Sequence, residues 1–328
     1  MDGTRTDDSA APILFEGVSK RYADGTVAVE NLTLDLAAGE LTVLIGPSGC
    51  GKSTVLRMVN RLVEPTAGRV LVDGEDVMTA DPVALRRRIG YVIQHVGLFP
   101  HQTVRANVGT VPRLLGWPKP QVTERTDELL ELVGLDPARF GPRYPHELSG
   151  GQRQRVGVAR ALAADPVVLL MDEPFSAVDP IVRGRLQDEF RRLQETVRKT
   201  ILLVTHDLDE AVRLGDRIAV LAQGGRLQQY ERPSALLAAP ANEFVREFVG
   251  TDRAIKRLGV TPIPRDALRP LPAAVDGAAV IPADATLQDA LAALLESETG
   301  WVVVSDGTTP LGVLTPDDIH RALRQPGA

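Results

Sequence analysis

Nine residues near the start of the chain constrain its fold more than any other segment. The sequence GPSGCGKST, at Gly46–Thr54, directly follows the apolar run Leu41–Ile45 and opens a helical pattern. Closely spaced glycines let backbone N–H groups surround a phosphate, and the start of a helix favours an anion. The loop therefore predicts an ATP site, in which Lys52 reaches the β- and γ-phosphates and Ser53 binds Mg²⁺. A chance glycine turn is the alternative, which the full spacing disfavours.

The residues of this loop share one predicted role, contact with the nucleotide. They are Gly46, Pro47, Ser48, Gly49, Cys50, Gly51, Lys52, Ser53 and Thr54.

A second apolar run ends in two acidic residues. Val167–Met171 is followed directly by Asp172 and Glu173. Asp172 is predicted to hold Mg²⁺ through water, and Glu173 to orient or deprotonate the attacking water. A general base of this kind contributes about 10²–10⁴-fold in rate. Alone, the two acids would be read as a solvated strand end, but the phosphate loop favours the catalytic interpretation.

Two further polar residues are interpreted from the same constellation. His206 follows the apolar run Ile201–Thr205 and is predicted to contact the γ-phosphate and hold Glu173 and the water in line. Gln94, in the sequence YVIQ, is predicted to touch Mg²⁺ or the water. A histidine after a strand is more often structural, and a glutamine usually has no special role. Both assignments therefore depend on the surrounding motifs.

Apolar runs and helical patterns alternate between residues 13 and 229, as an α/β domain requires. The nearly all-apolar runs are typical of strands buried on both faces of a parallel sheet. They are Leu41–Ile45, Val167–Met171, Ile201–Thr205 and Ile218–Ala222. Residues 97–145 have a helical pattern that includes Val122–Val133. The predicted fold class is α/β, with a mostly parallel central sheet, an antiparallel β subdomain and an inserted helical subdomain.

The last fifty residues predict a small α+β unit in the order β-α-β-β-α. Its predicted elements are strand Ala278–Ile281, helix Leu287–Leu295 capped near Thr286, strands Trp301–Ser305 and Leu311–Leu314, and helix Pro316–Leu323. Before it, residues 230–258 are predicted as a helical connector and the proline-rich Gly259–Leu271 as linker. The resulting domain boundaries are 12–250, 251–274 and 275–328.

Composition excludes several classes of protein. The 328 residues have an apolar content of 44%, which is typical of a globular chain. No apolar run approaches the roughly 20 residues that span a bilayer. One cysteine cannot form an internal disulfide, and the polar N-terminus does not resemble a secretion signal, so a cytoplasmic location is expected. The net charge of −6 argues against a nucleic-acid partner.

Taken in order, the motifs resemble those of ATP-binding cassette (ABC) ATPases, a class of P-loop NTPase, over residues 12–250. The resembling positions are Tyr22, Gly46–Thr54, Gln94, Leu148–Gln152, Asp172 with Glu173, Ser176–Asp179 and His206. The resemblance implies a head-to-tail homodimer that sandwiches ATP. In it, a signature made of Ser149, Gly150, Gly151 and Gln152 contacts the ATP of the opposite copy. Asp179 would cross the interface, and Tyr22 would stack on adenine unless it is a core tyrosine.

Less general segments resemble ATPase subunits of osmoprotectant importers. They are GLFPHQTVRANV at Gly97–Val108, VPRLLGWPK at Val111–Lys119 and PFSAVDPIVRGRLQDEF at Pro174–Phe190. This resemblance implies import of quaternary amines such as glycine betaine, choline or carnitine. It implies a separate membrane permease docking on Gln94–Trp117, an extracytoplasmic solute-binding protein, and a peripheral location on the inner face of the membrane. An amino-acid importer (methionine or proline), a non-transport ABC ATPase and a regulatory nucleotide sensor are the alternatives.

The C-terminal unit resembles a single cystathionine-β-synthase (CBS) motif, whereas such motifs normally occur as pairs. Gly312, Thr315 and Asp318 match the G-x-x-T-x-x-D pattern that holds ribose in nucleotide-binding members. A threonine cap and a first-turn acid on the last helix explain the same residues equally well. Both interpretations stay open from the sequence.

Overall fold

The protein is described from a computed structural model covering residues 10–94, 97–176, 178–272 and 277–324. Parts of the predicted segments lie outside the described residues: 95 and 96 of the docking segment, Ala177 beside Asp179, 273–276 at the linker boundary, and 325–328. The chain divides into two compact units, Met1–Gln228 and Gln229–Ala328. The predicted domain boundaries, which divide the chain elsewhere, stay predictions.

The first unit combines two sheets with helices. Its strands are β1 (Ile13–Arg21), β2 (Val27–Leu36), β3 (Leu41–Ile45), β4 (Ala67–Val72), β5 (Glu75–Asp76), β6 (Ile89–Val92), β7 (Val168–Asp172), β8 (Thr200–Val204), β9 (Arg217–Ala222) and β10 (Arg226–Glu231), which crosses the unit boundary. Its helices are α1 (Lys52–Val59), α2 (Pro82–Arg87), α3 (Val104–Val108), α4 (Thr110–Leu114), α5 (Lys119–Leu132), α6 (Pro137–Phe140), α7 (Gly150–Leu162), α8 (Pro180–Val197) and α9 (Leu208–Leu214).

The central sheet has the strand order β10-β9-β3-β8-β7-β6. Strand β3 pairs in parallel with β8 and β9, and β7 pairs in parallel with β6 and β8. Every residue of β3, β7 and β8 is buried, which explains their unbroken apolar sequences. The register sets Val204 opposite both Leu44 and Asp172, so three strands end at one edge. The predicted parallel sheet is confirmed.

A second, antiparallel sheet has the order β2-β1-β4-β5. In β1 the apolar residues Ile13, Phe15 and Val18 are fully buried, while the residues between them are partly exposed. Alternation of this kind is typical of a sheet with one face on the core. The predicted antiparallel subdomain is confirmed.

A run of helices, α3 to α7, lies between β6 and β7 in the chain, as predicted for an inserted helical subdomain. Helix α5 begins at Lys119, three residues before the predicted start at Val122, because Pro120 is tolerated in a first helical turn. Helices α3 and α5 both pack against α7. Among the described residues, none of the helices has the length and apolar character needed to cross a membrane.

The second unit is a three-stranded sheet with helices. Its elements are α10 (Pro233–Ala238), α11 (Glu243–Val249), α12 (Arg253–Leu258), β11 (Val280–Pro282), α13 (Leu287–Glu296), β12 (Val302–Ser305), β13 (Pro310–Leu314) and α14 (Pro316–Arg324). Strand β12 pairs in parallel with β11 and antiparallel with β13. Thr286 and Asp289 cap α13 reciprocally, with N···O distances of 3.2 and 2.9 Å. The predicted β-α-β-β-α order is confirmed.

Residues 259–271, predicted as linker, pack within the second unit. Thr261 and Ile263 are buried, and the Ile263 N–H donates to Ala285 O at 3.2 Å. Arg269 exchanges two backbone hydrogen bonds with Val313, of 2.9 and 3.0 Å, and so extends the sheet. The many prolines of this segment suggested a linker, because proline has no N–H to donate to a strand. Arg269 alone supplies the N–H and C=O that this short edge contact needs.

Asp318 in this unit is buried and already surrounded by donors. Its carboxylate accepts from the Thr315 hydroxyl at 2.6 Å and from Arg269 Nε and Nη2 at 3.0 Å each. Burial acts to raise the pKa of Asp318, but the hydrogen bonds from Thr315 and Arg269 outweigh it and lower the pKa below its ordinary value. A Cβ on Gly312 would lie 2.7 Å from Arg269 O. The Thr315 N–H also donates to Asp318 Oδ2 at 3.1 Å, so this carboxylate binds the start of the last helix, as the first-turn acid in the helix-cap interpretation does.

An acidic side chain is buried just beyond the end of β8. Glu210, at the start of α9, is 4% exposed, and its Oε2 accepts from Thr205 Oγ1 at 3.2 Å. Burial raises the pKa of Glu210 from 4.5 to about 7. The folded protein therefore binds this proton more tightly than the unfolded chain does. The associated stability is fully present below about pH 4.5 and is lost as the pH rises through about 7.

We predict that Glu210→Gln stabilises the first unit at pH 8 by about 1–3 kcal/mol, because the amide keeps the volume without the buried charge. The gain should grow between pH 4.5 and 7 and stay level above 7. Melting temperatures measured across this range check it, with the exposed Asp209→Asn on the same helix turn as the control. A gain that is independent of pH would contradict the prediction.

Candidate functional site

The predicted phosphate loop joins the buried end of β3 to the first turn of α1. Gly46, Gly49 and Gly51 have φ angles of 153°, 76° and 110°, which side-chain-bearing residues rarely adopt. A Cβ on Gly46 would lie 2.2 Å from Leu221 O, and one on Gly51 would lie 2.1 Å from Ala28 O. The loop is therefore pressed against neighbouring backbone at two positions that only glycine fits.

Lys52, the predicted phosphate-binding lysine, is tied to the loop itself. Its Nζ donates to Gly46 O at 2.7 Å and to Pro47 O at 3.0 Å, and the side chain is buried. Cys50 Sγ lies 3.8 Å from the same Nζ, and Cys50 is fully buried. The ammonium group is thus held inside the loop, where phosphate oxygens could replace the two carbonyl oxygens.

The predicted metal-binding residues Ser53 and Asp172 meet directly. Ser53 Oγ donates to Asp172 Oδ1 at 3.0 Å, although the two residues are 119 positions apart. A hydroxyl and a carboxylate are hard oxygen ligands of the kind that Mg²⁺ takes together with substrate phosphates. Among the described residues, no cluster of three or more His, Cys, Asp or Glu side chains could hold a metal alone. The donor set therefore fits Mg²⁺ bound jointly by the protein and a nucleotide.

Glu173 stands between two other predicted residues. Gln94 Nε2 donates to Glu173 Oε2 at 3.1 Å, and His206 Nδ1 lies 3.2 Å from Oε1. Glu173 itself has a φ of 46°, an unfavourable value for a residue with a side chain. Its backbone N–H bonds to Val204 O at 2.8 Å, so the strained turn is fixed to the neighbouring strand.

Tyr22 reaches the same region from the antiparallel sheet. Its hydroxyl lies 3.3 Å from Thr54 Oγ1 at the end of the phosphate loop, and Lys20 Nζ is 5.2 Å from its ring centroid. The side chain is exposed, so Tyr22 is not a core tyrosine. Stacking of the Tyr22 ring on adenine stays a prediction.

The signature residues form a separate group at the start of α7. Ser149 Oγ accepts from the Gln152 N–H at 3.3 Å, and Gln152 Oε1 accepts from the Ser149 N–H at 2.9 Å. Gly150 and Gly151 occupy the first turn of the helix, and Asp179 lies exposed just before α8. The hydrogen bonds of Ser149 and Gln152 thus stay within their own turn, whereas the phosphate loop bonds to Asp172 and Tyr22.

Two residues near the site were not predicted. Arg57 Nη2 lies 3.5 Å from Asp172 Oδ2, and a hydrogen bond that Arg57 donates to the Tyr91 side-chain oxygen raises the pKa of Arg57 above its ordinary value. Arg57 is four positions after Ser53 in a helix, so both side chains lie on one face. That spacing was the available signal. Tyr91 lies between the buried Gly90 and Val92 in β6, and its sequence position gave no signal of a contact with Arg57.

Comparison with known proteins agrees with this geometry. Residues 29–176 match the family profile described as ABC transporter, and residues 274–325 match the CBS domain. The glycine betaine uptake system ATP-binding protein YehX of Escherichia coli is 50% identical over 246 residues, which cover 75% of this chain and 79% of that protein. The chain belongs to the ABC transporter ATP-binding proteins.

This ABC protein is also similar to longer relatives. The choline transport ATP-binding protein OpuBA of Bacillus subtilis is 55% identical over 244 residues, covering 74% of this chain and 64% of OpuBA. The chain therefore spans less than two thirds of the length of that relative. Among solved structures, the dimeric bacterial ABC transporter cassette MJ0796 is 34% identical with a TM-score of 0.60, covering 67% of this chain and 98% of that chain.

We predict that Gly46→Ala costs more than about 2 kcal/mol of stability and prevents tight ATP binding, because its Cβ would meet the Leu221 carbonyl. Calorimetric titration with Mg·ATP and thermal unfolding check both effects. Gly74→Ala is the matched control, since Gly74 also has a positive φ, of 74°, but open space around its Cβ. If the two variants behaved alike, the close approach would not be what requires glycine at position 46.

Proposed function

We propose that the protein binds and hydrolyses ATP, with Mg²⁺ as the metal, as the energising subunit of an importer of quaternary-amine osmoprotectants. The observation that supports hydrolysis most is the position of Glu173 between Gln94 and His206, beside the Ser53–Asp172 pair. A carboxylate held on both sides and next to a metal-binding pair is arranged to act on a water molecule.

Each residue of this site has one proposed role. The loop N–H groups and Lys52 bind the phosphates of ATP, and Tyr22 contacts the adenine. Ser53 and Gln94 hold Mg²⁺, with Asp172 acting through water; the metal neutralises phosphate charge. Glu173 accepts the proton of the attacking water, and His206 keeps that carboxylate in place while contacting the terminal phosphate. Most of the barrier reduction in such transfers comes from positioning and electrostatics.

We propose further that two copies complete each site. The reciprocal hydrogen bonds at the start of α7 use the N–H groups of Ser149 and Gln152. The other N–H groups in the first turn of a helix have no acceptor within that helix and need partners outside it. Gly150 and Gly151 provide such groups at the positive end of α7, which suits a phosphate of the opposite copy. The dimeric cassette found among similar structures supports this arrangement.

Transport is proposed from the named relatives and from one surface. Choline and glycine betaine occur in the names of OpuBA and YehX, which are 55% and 50% identical to the chain. In the proposed docking segment, Phe99 and Leu114 are 41% and 69% exposed, as apolar contacts for a membrane permease would be. The chain would then lie peripherally on the cytoplasmic face, receive solute indirectly from an extracytoplasmic binding protein, and contact no nucleic acid.

We predict that Glu173→Gln retains ATP binding but lowers phosphate release by at least about 100-fold, because the proton acceptor is lost. With Mg·ATP the variant should accumulate as a dimer, measured by light scattering after size exclusion. Glu195→Gln, which replaces an exposed carboxylate on α8, should hydrolyse normally. Full turnover by the Glu173 variant would refute the assigned role, and a persistent monomer would refute the dimer.

The transported solute has a test of its own. Cells with and without the gene should be compared for uptake of labelled glycine betaine, choline, carnitine and proline at high and low salt. We expect gene-dependent uptake of at least one quaternary amine, and its loss when Glu173→Gln replaces the natural chain. Uptake of proline alone would favour the amino-acid alternative.

A further inference from the structure

A cavity of about 360 Å³ lies between α5, α7 and α8 in the first unit. Its volume falls within the range of about 300–1,000 Å³ that is usual for small-molecule sites. Among its lining residues there are none of those assigned to the nucleotide site. The mechanism proposed above therefore makes no use of this space.

The wall of the cavity is mainly apolar. It includes Val158 from α7 and Phe175, Leu186, Phe190 and Leu193 from the region before and along α8. The Phe175 and Phe190 rings meet edge to face with centroids 6.0 Å apart. Such a wall suits an aliphatic chain or an aromatic ring.

One buried polar group lines the cavity without a partner. Gln154 is 4% exposed, and its Nε2 forms no hydrogen bond within the part of the chain that the structure describes. Buried donors are almost always paired, because an unpaired donor loses its water without compensation. Rotation about the side-chain torsions of Gln154 can present this donor to an oxygen atom in the cavity.

The charged residues of the lining are unevenly paired. Arg155 forms an ion pair with Glu189 and donates to Val133 O at 3.4 Å. Arg192 is exposed and forms no ion pair with any described residue, and Glu131 is an exposed acid. A carboxylate can accept from the buried, unpaired Gln154 Nε2, whereas an ammonium group, which has only donors, cannot pair with it. The exposed Arg192 and Glu131 carry opposite charges and do not decide between the two ligands.

We infer that this cavity binds a small amphipathic carboxylate, with its apolar part against Val158 and the two phenylalanines and its carboxylate accepting from Gln154. The site is distinct from the ATP site in every lining residue. Its ligand class follows from the apolar wall and the unpaired donor of Gln154 together.

A bound ligand would affect two elements of the proposed mechanism. Gln154 is two residues beyond the signature residue Gln152 on α7, and α8 begins directly after Asp179. A molecule filling the space would fix α7 relative to α8 and so change how easily the signature reaches a second copy. This regulatory consequence rests on the proposed function, but the binding does not.

The test is calorimetric titration of the full chain, without nucleotide, with decanoate and with decylamine. Decanoate should bind saturably at one site and decylamine should not. Gln154→Leu should weaken decanoate binding about tenfold or more, because a charge-assisted hydrogen bond is lost. Val158→Phe should remove binding by filling the cavity, and Gln121→Leu, which makes the same change at an exposed position on α5, should have no effect.

Several results would overturn the inference. The inference fails if decanoate does not bind saturably, if decylamine binds equally well, or if Gln154→Leu leaves the affinity for decanoate unchanged. Thermal unfolding identifies any variant that has lost its fold, and Gln154→Leu decides the matter if Val158→Phe does not fold. ATP hydrolysis is measured separately with and without decanoate, so an inactive ATPase would refute the proposed function and leave the binding result standing.

Discussion

The parallel pairing of β8 with both β3 and β7 is the constraint on which the site depends. It brings the phosphate loop, the Asp172–Glu173 pair and His206 to a single sheet edge, although more than 150 residues separate the first from the last. Ligands in α/β proteins bind at the carboxyl ends of such strands for this reason. The hydrogen bond from Ser53 to Asp172 and the one from the Glu173 N–H to Val204 O are local consequences of this register.

Negative charge accumulates at this edge and must be compensated. Asp172 faces Arg57, Glu173 faces His206, and burial keeps Glu210 protonated up to about pH 7. Triphosphate would add further negative charge beside these carboxylates. Lys52 and the start of α1 supply positive charge there, and a divalent cation bound at Ser53 and Asp172, as proposed, would add more. In the proposed site, a nucleotide with its metal would therefore be favoured over a nucleotide alone.

The sequence was most informative where several requirements coincide on the same residues. Strand β3 was predicted to the residue. Burial on both faces requires its unbroken apolar sequence, and the glycine loop marks the residue at which it ends. The approach of Asp172 to Ser53 also followed from the motifs. Glu210 was missed, since a first-turn glutamate ordinarily stabilises a helix from the surface. Its burial is tertiary, as is the packing of Ile263, which a proline-rich segment did not reveal.

The two parts of the proposed site are linked within each chain by a short path. Asp179 accepts backbone bonds from Val182 and Arg183 at 3.1 and 2.9 Å, and Arg183 Nη1 lies 3.5 Å from Asp207 Oδ2, next to His206. Ser176 Oγ also donates to Glu173 O at 2.9 Å, which ties the same loop to the proposed base. In the proposed dimer, a second copy pressing on Asp179 would reach the neighbourhood of His206 indirectly, through Arg183 and Asp207. The residue at the proposed interface and the residues at the chemistry would thus be joined within one chain by hydrogen bonds and an ion pair.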